Sequence, residues 1–160
     1  MADLLVKLYS LPPAAALIEK LRAEGVEIKR AIGPEKQAVT DWVEKKFSRA
    51  WASECEVALA AQPASCFIAV KEKQLVGFAC YDTASKGFFG PIGVDEGARA
   101  GGLGKALLLR TLEAMREAGY GYAIVGWAGP VDFFKKAVGA VVIEGSEPGV
   151  YANMVKAAPR

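Results

Sequence analysis

A chain of 160 residues is long enough for one domain with a full hydrophobic core, and needs neither disulfides nor a structural metal to hold it. With 52% hydrophobic and 24% charged residues the composition is globular, and a formal charge of +2 without a basic stripe excludes a general nucleic-acid binder. There is no histidine, which removes Ser-His-Asp and Cys-His catalysis, histidine metal sites and imidazole shuttles; acid–base work falls to Asp, Glu, Tyr, Cys, Lys or water.

No apolar run approaches the roughly 18–20 residues of a membrane span, and Met1-Ala2-Asp3 puts acid ahead of the apolar residues, the wrong order for a secretion signal. Cys55, Cys66 and Cys80 lack C-x-x-C spacing. A cytoplasmic protein with reduced, buried thiols is expected, with neither a membrane nor a nucleic acid as partner and no metal.

In chain order, Leu4, Val6 and Leu8 alternate as a short strand ended by Pro12-Pro13, and Ala14, Leu17, Ile18 and Leu21 recur at helical spacing up to a capping Gly25. Residues 26–32 alternate as a strand, and Gly33-Pro34 turns the chain into a helix with Val39, Trp42, Val43 and Phe47 on one face. After a break, 48–59 reads as a second helix, and Ser53 with Glu56 fits a capping box at its start. Residues 65–71 and 75–81 form a hairpin around the turn 72–74, and 87–94 a third strand. Runs apolar on both sides imply helices on both faces of the sheet. Pro91 cannot donate to a ladder, so its strand must bulge, lie at an edge or begin there. A helix over 102–118, a strand over 120–125, a helix over 131–138 opened by Pro130, a strand over 141–143, a loop over 145–149, a closing strand over 150–155 and a frayed tail over 156–160 complete the chain.

The run Gly90-Pro91-Ile92-Gly93-Val94-Asp95-Glu96-Gly97-Ala98-Arg99-Ala100-Gly101-Gly102-Leu103-Gly104-Lys105 joins the third strand to the long helix. Gly101, Gly102 and Gly104 let a ligand approach the backbone, and a helix that begins near Gly102 aims unpaired N–H groups and its positive dipole end at whatever lies above. Phosphate suits such a site, and Arg99 adds a charge-assisted donor. Ala106 follows Lys105, so the hydroxyl of a Walker loop is missing, and Leu107 stands where a dinucleotide fingerprint needs its third glycine.

What remains, Arg99-x-x-Gly102-x-Gly104 after a strand ending at Val94, resembles the acetyl-coenzyme A loop of the GNAT superfamily of N-acetyltransferases. The element order from Glu27 onward, Gly77-Phe78-Ala79 and the run 133–140 are similar to that family over about four-fifths of the chain. The resemblance implies a single domain over 1–160, with an N-terminal extension at 1–26 and a core at 27–155. It implies an α/β (mixed α+β) fold: a mostly antiparallel mixed sheet of about seven strands with a splay, helices on both faces, and the N-terminal strand and helix as an addition. Acetyl-CoA would be the acyl donor, held by Ile92, Gly93, Val94, Arg99, Ala100, Gly101, Gly102, Leu103, Gly104, Lys105 and Phe134. Ile92 and Val94 would pair by backbone with its pantetheine arm.

An N-acetyltransferase of this kind moves an acetyl group to a primary amine of a small molecule or peptide by direct attack. Glu54 is the first candidate base, ahead of Glu56 and Asp82, and Trp51 and Phe88 are candidate acceptor contacts. Trp51 also reads as a packing aromatic, and the capping box accounts for Glu56 without a substrate. Three positions depart from the family pattern. Ala100 replaces a glycine, Trp127 an asparagine, and Phe134 the tyrosine that protonates the departing thiolate. Tyr151, Tyr122 or Tyr81 is left to take that last role, with Tyr151 first. A thiol of pKa near ~8.5 also leaves unaided. The alternative is a non-catalytic acyl-CoA-binding or sensor domain of the same fold. A homodimer is compatible with the family and has no separate sign in the sequence.

Overall fold

The computed structural model describes residues 1–156, 158 and 159, so the expected fraying of 156–160 falls partly outside the described residues. Strands β1 (Leu4–Lys7), β2 (Val26–Arg30), β3 (Cys66–Lys71), β4 (Gln74–Tyr81), β5 (Phe88–Val94), β6 (Tyr122–Val125) and β7 (Val141–Val142) make one seven-stranded sheet in the order β2-β3-β4-β5-β6-β1-β7. All neighbours are antiparallel except β5 and β6. Helices α1 (Ala15–Ala23), α2 (Lys36–Lys46), α3 (Arg49–Ala60), α4 (Leu103–Glu117) and α5 (Val131–Val138) cover it. No helix among the described residues is long and apolar enough to cross a membrane.

Strand alternation divides the interior into two cores. Phe67, Ala69, Ala79 and Tyr81 face the side of α1, α4 and α5, where Leu103, Leu107, Leu108, Leu112 and Met115 supply most of the apolar bulk. Cys66, Ile68, Phe78 and Cys80 face α2 and α3 and meet Val39, Val43, Cys55 and Leu59. The three cysteines are free and buried in this second core, as their spacing implied. Both faces are therefore covered, in line with the apolar runs of the sequence.

Two expectations are corrected at the ends of the sheet. Residues 150–155 do not close it: Gly149–Tyr151 is a single 3-10 turn, and Val155 is 91% exposed. The strand between β6 and β7 is β1, whose Leu4 pairs with Val125 on one side and Val142 on the other. The residues set apart as an extension thus supply an interior strand, with Leu4 and Val6 wholly buried. The physical reason lies in the two segments. Leu4 and Val6 put a continuous apolar stripe on one side of a strand, whereas Pro148, Gly149 and Asn153 give the C-terminal segment turn chemistry. The capping box is corrected as well. Ser48, extended at φ −161°, accepts the Trp51 N–H at 3.1 Å and starts α3, so Ser53 and Glu56 lie inside the helix and Glu56 faces solvent.

If β1 carries the sheet, Leu4→Ala should cost about 2–5 kcal/mol in urea unfolding, and Val155→Ala no more than about 0.5 kcal/mol. Similar losses at both positions would contradict this strand assignment.

Candidate active site

Pro91 does what a proline in an interior strand must. Ile92 pairs with Ala79 and Phe89 with Tyr81, so Gly90 and Pro91 together stand opposite the single residue Cys80 in a β-bulge. On the other edge, β5 and β6 pair only at Phe88–Ile124 and Phe89–Val125 and then part. Beyond the bulge, 90–94 therefore has no strand on its β6 side. A cavity of about 830 Å³ opens in this gap, a volume ordinary for a small-molecule site.

One wall of the cavity comes from the core under α4 and α5, with Ile92, Val94, Phe133 and Phe134, and the opposite wall from α2–α3, with Phe47, Trp51 and Glu54. Trp127, Gly126 and Pro130 of the β6–α5 connection and Tyr151 of the C-terminal turn close a third side. Two glycines set its shape. A Cβ at Gly93 would lie 2.5 Å from the Phe47 ring, so its absence lets that ring rest on the backbone of β5. A Cβ at Gly126 would lie 2.2 Å from the Tyr151 hydroxyl oxygen and 2.9 Å from Phe88. Tyr151 reaches the cavity only because residue 126 has no side chain, and its ring stacks on Trp127 at 4.7 Å.

The glycine loop behaves as its sequence implies. Gly102 takes φ +85° as the residue capping α4, and the first helical bond runs from the Ala106 N–H to the Gly102 carbonyl at 2.9 Å. The amides of Leu103, Gly104 and Lys105 precede that bond and are spent on no carbonyl of the helix. The Arg99 Nε–H donates to the Val94 carbonyl at 3.3 Å, which folds the guanidinium back toward the open end of β5 and leaves its remaining donors for a ligand.

Of the site residues expected from sequence, Trp51, Glu54, Phe88, Ile92, Gly93, Val94, Arg99, Gly104, Phe134 and Tyr151 all line the one cavity. Ala100, Gly101, Gly102, Leu103 and Lys105 do not. Leu103 sends its side chain into the core, and Ala100, Gly101 and Lys105 are exposed on the turn. The other acid–base candidates lie elsewhere. The Asp82 carboxylate accepts from the Gly87 N–H at 2.7 Å and the Tyr120 hydroxyl at 2.8 Å, Tyr81 accepts from Arg30, and the exposed Tyr122 packs edge-on against Tyr9. Phe47, Gly126 and Thr83 were not foreseen as site residues. A bulky aromatic on a helix face, a glycine after a strand and a threonine in a turn carry no signal of their own.

Burial raises the Glu54 carboxyl above the usual glutamate range, and a hydrogen bond from Thr83 partly offsets this. The Thr83 hydroxyl sits 2.8 Å from Glu54 Oε1 and 3.1 Å from the Gly90 carbonyl, so its single proton can serve the carboxylate or the bulge. Burial, then the charges of Glu54 and Asp3, push Tyr151 up to about 12, so the phenol keeps its proton at neutral pH.

These features define a two-sided cleft: an open strand edge and a helix start with unspent amides on one side, a carboxyl and a phenol on the other. The family model described as "Acetyltransferase (GNAT) family" matches residues 36–139, well over half of the chain, and the chain belongs to that family. The match holds Glu54, the glycine loop and Phe134, and excludes β1 and Tyr151. No curated protein sequence matches the chain. Among solved structures it is similar to the glucosamine N-acetyltransferase region of a fungal multi-domain β-N-acetylglucosaminidase (TM-score 0.72, 12% identity, 89% of this chain and 19% of that one). It is also similar to a GCN5-related N-acetyltransferase from Sphaerobacter thermophilus (TM-score 0.67, 21% identity, 89% and 48%). A third is the GCN5-related N-acetyltransferase from Kribbella flavida (TM-score 0.53, 17% identity, 78% and 46%). At these identities the likeness is one of fold, and the chain spans less than half the length of each.

Two outcomes follow from the geometry. Because the folded-state pKa of Glu54 lies above its unfolded value, the ionised carboxylate costs stability above that range and nothing below it. Glu54→Gln should therefore raise Tm at neutral pH, and the gain should vanish as pH falls through the ordinary glutamate range. In Thr83→Val the Glu54 titration, followed by side-chain carboxyl NMR, should move higher still. A fall, or no change, would show that the hydroxyl does not hold the carboxylate.

Proposed function

We propose that the chain is an acetyl-CoA-dependent N-acetyltransferase that acetylates a primary amine of a small molecule or peptide. The observation that carries this reading is the unpaired stretch of β5 leading into the unspent amides of α4, with a carboxyl and a phenol in the same cavity.

The residues present fit an acyl-CoA. Arg99 and the amides of Leu103, Gly104 and Lys105 suit its pyrophosphate, the open edge of Ile92 and Val94 suits the amide-bearing arm, and Phe133 and Phe134 offer an apolar side to it. When bound, acetyl-CoA supplies an acyl carbon already activated as a thioester. The chain's own part is proton handling and positioning. The acceptor amine arrives as ammonium and must lose a proton before its nitrogen can attack. Glu54, whose burial raises its carboxyl above the usual glutamate range, is the group to take it, directly or through water. Tyr151 keeps a proton to give to the departing sulfur and stands in for the tyrosine that Phe134 replaces. Across the reaction one amide bond forms as one thioester bond breaks; the ammonium sheds two protons, one replacing the proton that Tyr151 gives to sulfur and one, taken at Glu54, passing on to solvent.

Phe134 is also what favours the second reading, a domain that holds an acyl-CoA without turning it over. The two separate by experiment. Acetyl-CoA at ~100 times its dissociation constant should stabilise the fold by roughly 2.7 kcal/mol, with most of the shift gone in Arg99→Ala; no shift would sink both readings. With an acceptor in hand, Glu54→Gln should lower kcat roughly 10²–10⁴-fold and Tyr151→Phe should lower it too, while acetyl-CoA binding persists. Unchanged turnover in both variants would remove these two residues from the mechanism.

A further inference from the structure

Resting on the acetyl-transfer reading, we infer that the acceptor is a monoamine carried on an apolar, preferably aromatic, body. It would bind in the part of the cavity between Trp51, Phe88 and Trp127, with its nitrogen at Glu54.

The inference comes from which polar groups the cavity offers and which it lacks. Among the described residues lining it, Glu54 carries the one side-chain negative charge and Arg99 the one side-chain positive charge, with Arg99 at the opposite end by the glycine loop, and the Met1 ammonium, which also borders the cavity, is paired with Glu147. A single carboxylate can hold one ammonium. A polyamine would bring further charges into a space with no second carboxylate to receive them, and removing such charges from water unpaired is costly. A hexosamine would bring several hydroxyls, and beyond Glu54 the side-chain partners on this side are the Tyr151 hydroxyl and the Trp127 indole N–H. Hydroxyls buried without partners count strongly against a ligand.

The wall itself is aromatic and firmly held. Trp51 lies 5.1 Å from the Phe47 ring and 6.0 Å from Phe78, and the Phe47 ring in turn rests on Gly93. Phe88 is held against the Cβ-less Gly126, and Trp127, 42% exposed, forms a rim stacked on Tyr151. Preformed aromatic faces at the mouth of a cavity give an apolar body burial area and ring contacts at little ordering cost. Glu54 suits the same ligand. Its burial beside these rings strengthens its attraction for one cation, and the Thr83 hydroxyl fixes the direction of its carboxylate.

The test uses the whole chain with acetyl-CoA and follows release of free thiol with 2-phenylethylamine, hexylamine, ethylamine, glucosamine, spermidine and a lysine-containing peptide. Acetyl-CoA binding is read separately by thermal shift. Expected is a kcat/KM for 2-phenylethylamine about 10- to 100-fold above that for ethylamine, the gain of burying one aromatic side group, with hexylamine between them and the polar amines lowest. Trp51→Leu and Phe88→Leu should each narrow the ratio of 2-phenylethylamine to ethylamine. Two variants are used because Trp51 also packs against Phe78, and melting curves confirm that each is folded. Preference for glucosamine, spermidine or the peptide would overturn the acceptor class and leave acetyl transfer standing. A ratio indifferent to both wall variants would overturn the assignment of the aromatic wall to the acceptor. Stabilisation by acetyl-CoA with no amine acetylated would overturn the catalytic reading and this inference together.

Discussion

The parting of β5 from β6 is the constraint on which the rest of the site depends. Two parallel strands that pair for two residues and then separate leave backbone donors and acceptors without partners, a cost that folded chains avoid unless something else uses those groups. Here the separation is imposed from both strands. The bulge at Gly90-Pro91 bends β5, and Pro91 has no N–H with which to continue a ladder. β6 stops at Val125, where the chain turns through Gly126 and the positive-φ Trp127. The gap is thus written into the covalent chemistry of a few residues, and Phe47 and Phe134 wall it from the two cores on either side of the sheet.

A gap between strands holds its width only if both sides are anchored. β5 is held by its antiparallel ladder to β4. β6 has only two pairs to β5, so its anchor is β1, through four pairs on the far side. Asp3, just before β1, extends that anchoring to the cavity itself. Its buried carboxylate accepts the Trp127 N–H at 2.9 Å, and its backbone N–H donates to the Ser146 hydroxyl at 2.8 Å. One residue therefore ties the start of the chain to the rim of the site and to the loop before the Tyr151 turn. A segment far from the glycine loop in sequence sets the third wall of the cavity.

Local chemistry was legible in the sequence where it is local in cause. The glycine loop, the hairpin around 72–74 and the helix opened by Pro130 each rest on the backbone preferences of one or two residues, and each is found; at Pro91, where bulge, edge and strand start were all open, the structure has the bulge. The start of α3 differs because Ser53-x-x-Glu56 matches the capping-box pattern and Ser48-x-x-Trp51 does not, yet Ser48 is the cap and Ala52 is already buried inside the helix with Cys55 and Leu59. The place of β1 between β6 and β7, and the loss of a strand over 150–155, were not legible: periodicity marks a segment as a strand and says nothing about which neighbour it takes. Site residues followed the same division. Loop residues were found by motif, whereas Gly126 and Thr83 matter through contacts made across long stretches of chain.

The place of β1 bears directly on the missing tyrosine. Phe134 is 2% exposed and packs at 6.2 Å from Phe89 and 5.1 Å from Phe133, so the α5 side of the cavity is apolar where the family pattern has a phenol. With β1 beside β6, the C-terminal segment is no part of the sheet, and its turn brings a phenol to the cavity over the backbone of Gly126. On the proposed reading, the N-terminal strand and the C-terminal turn act together: Asp3 holds the Trp127 rim on which Tyr151 stacks, and Tyr151 supplies the proton that Phe134 cannot.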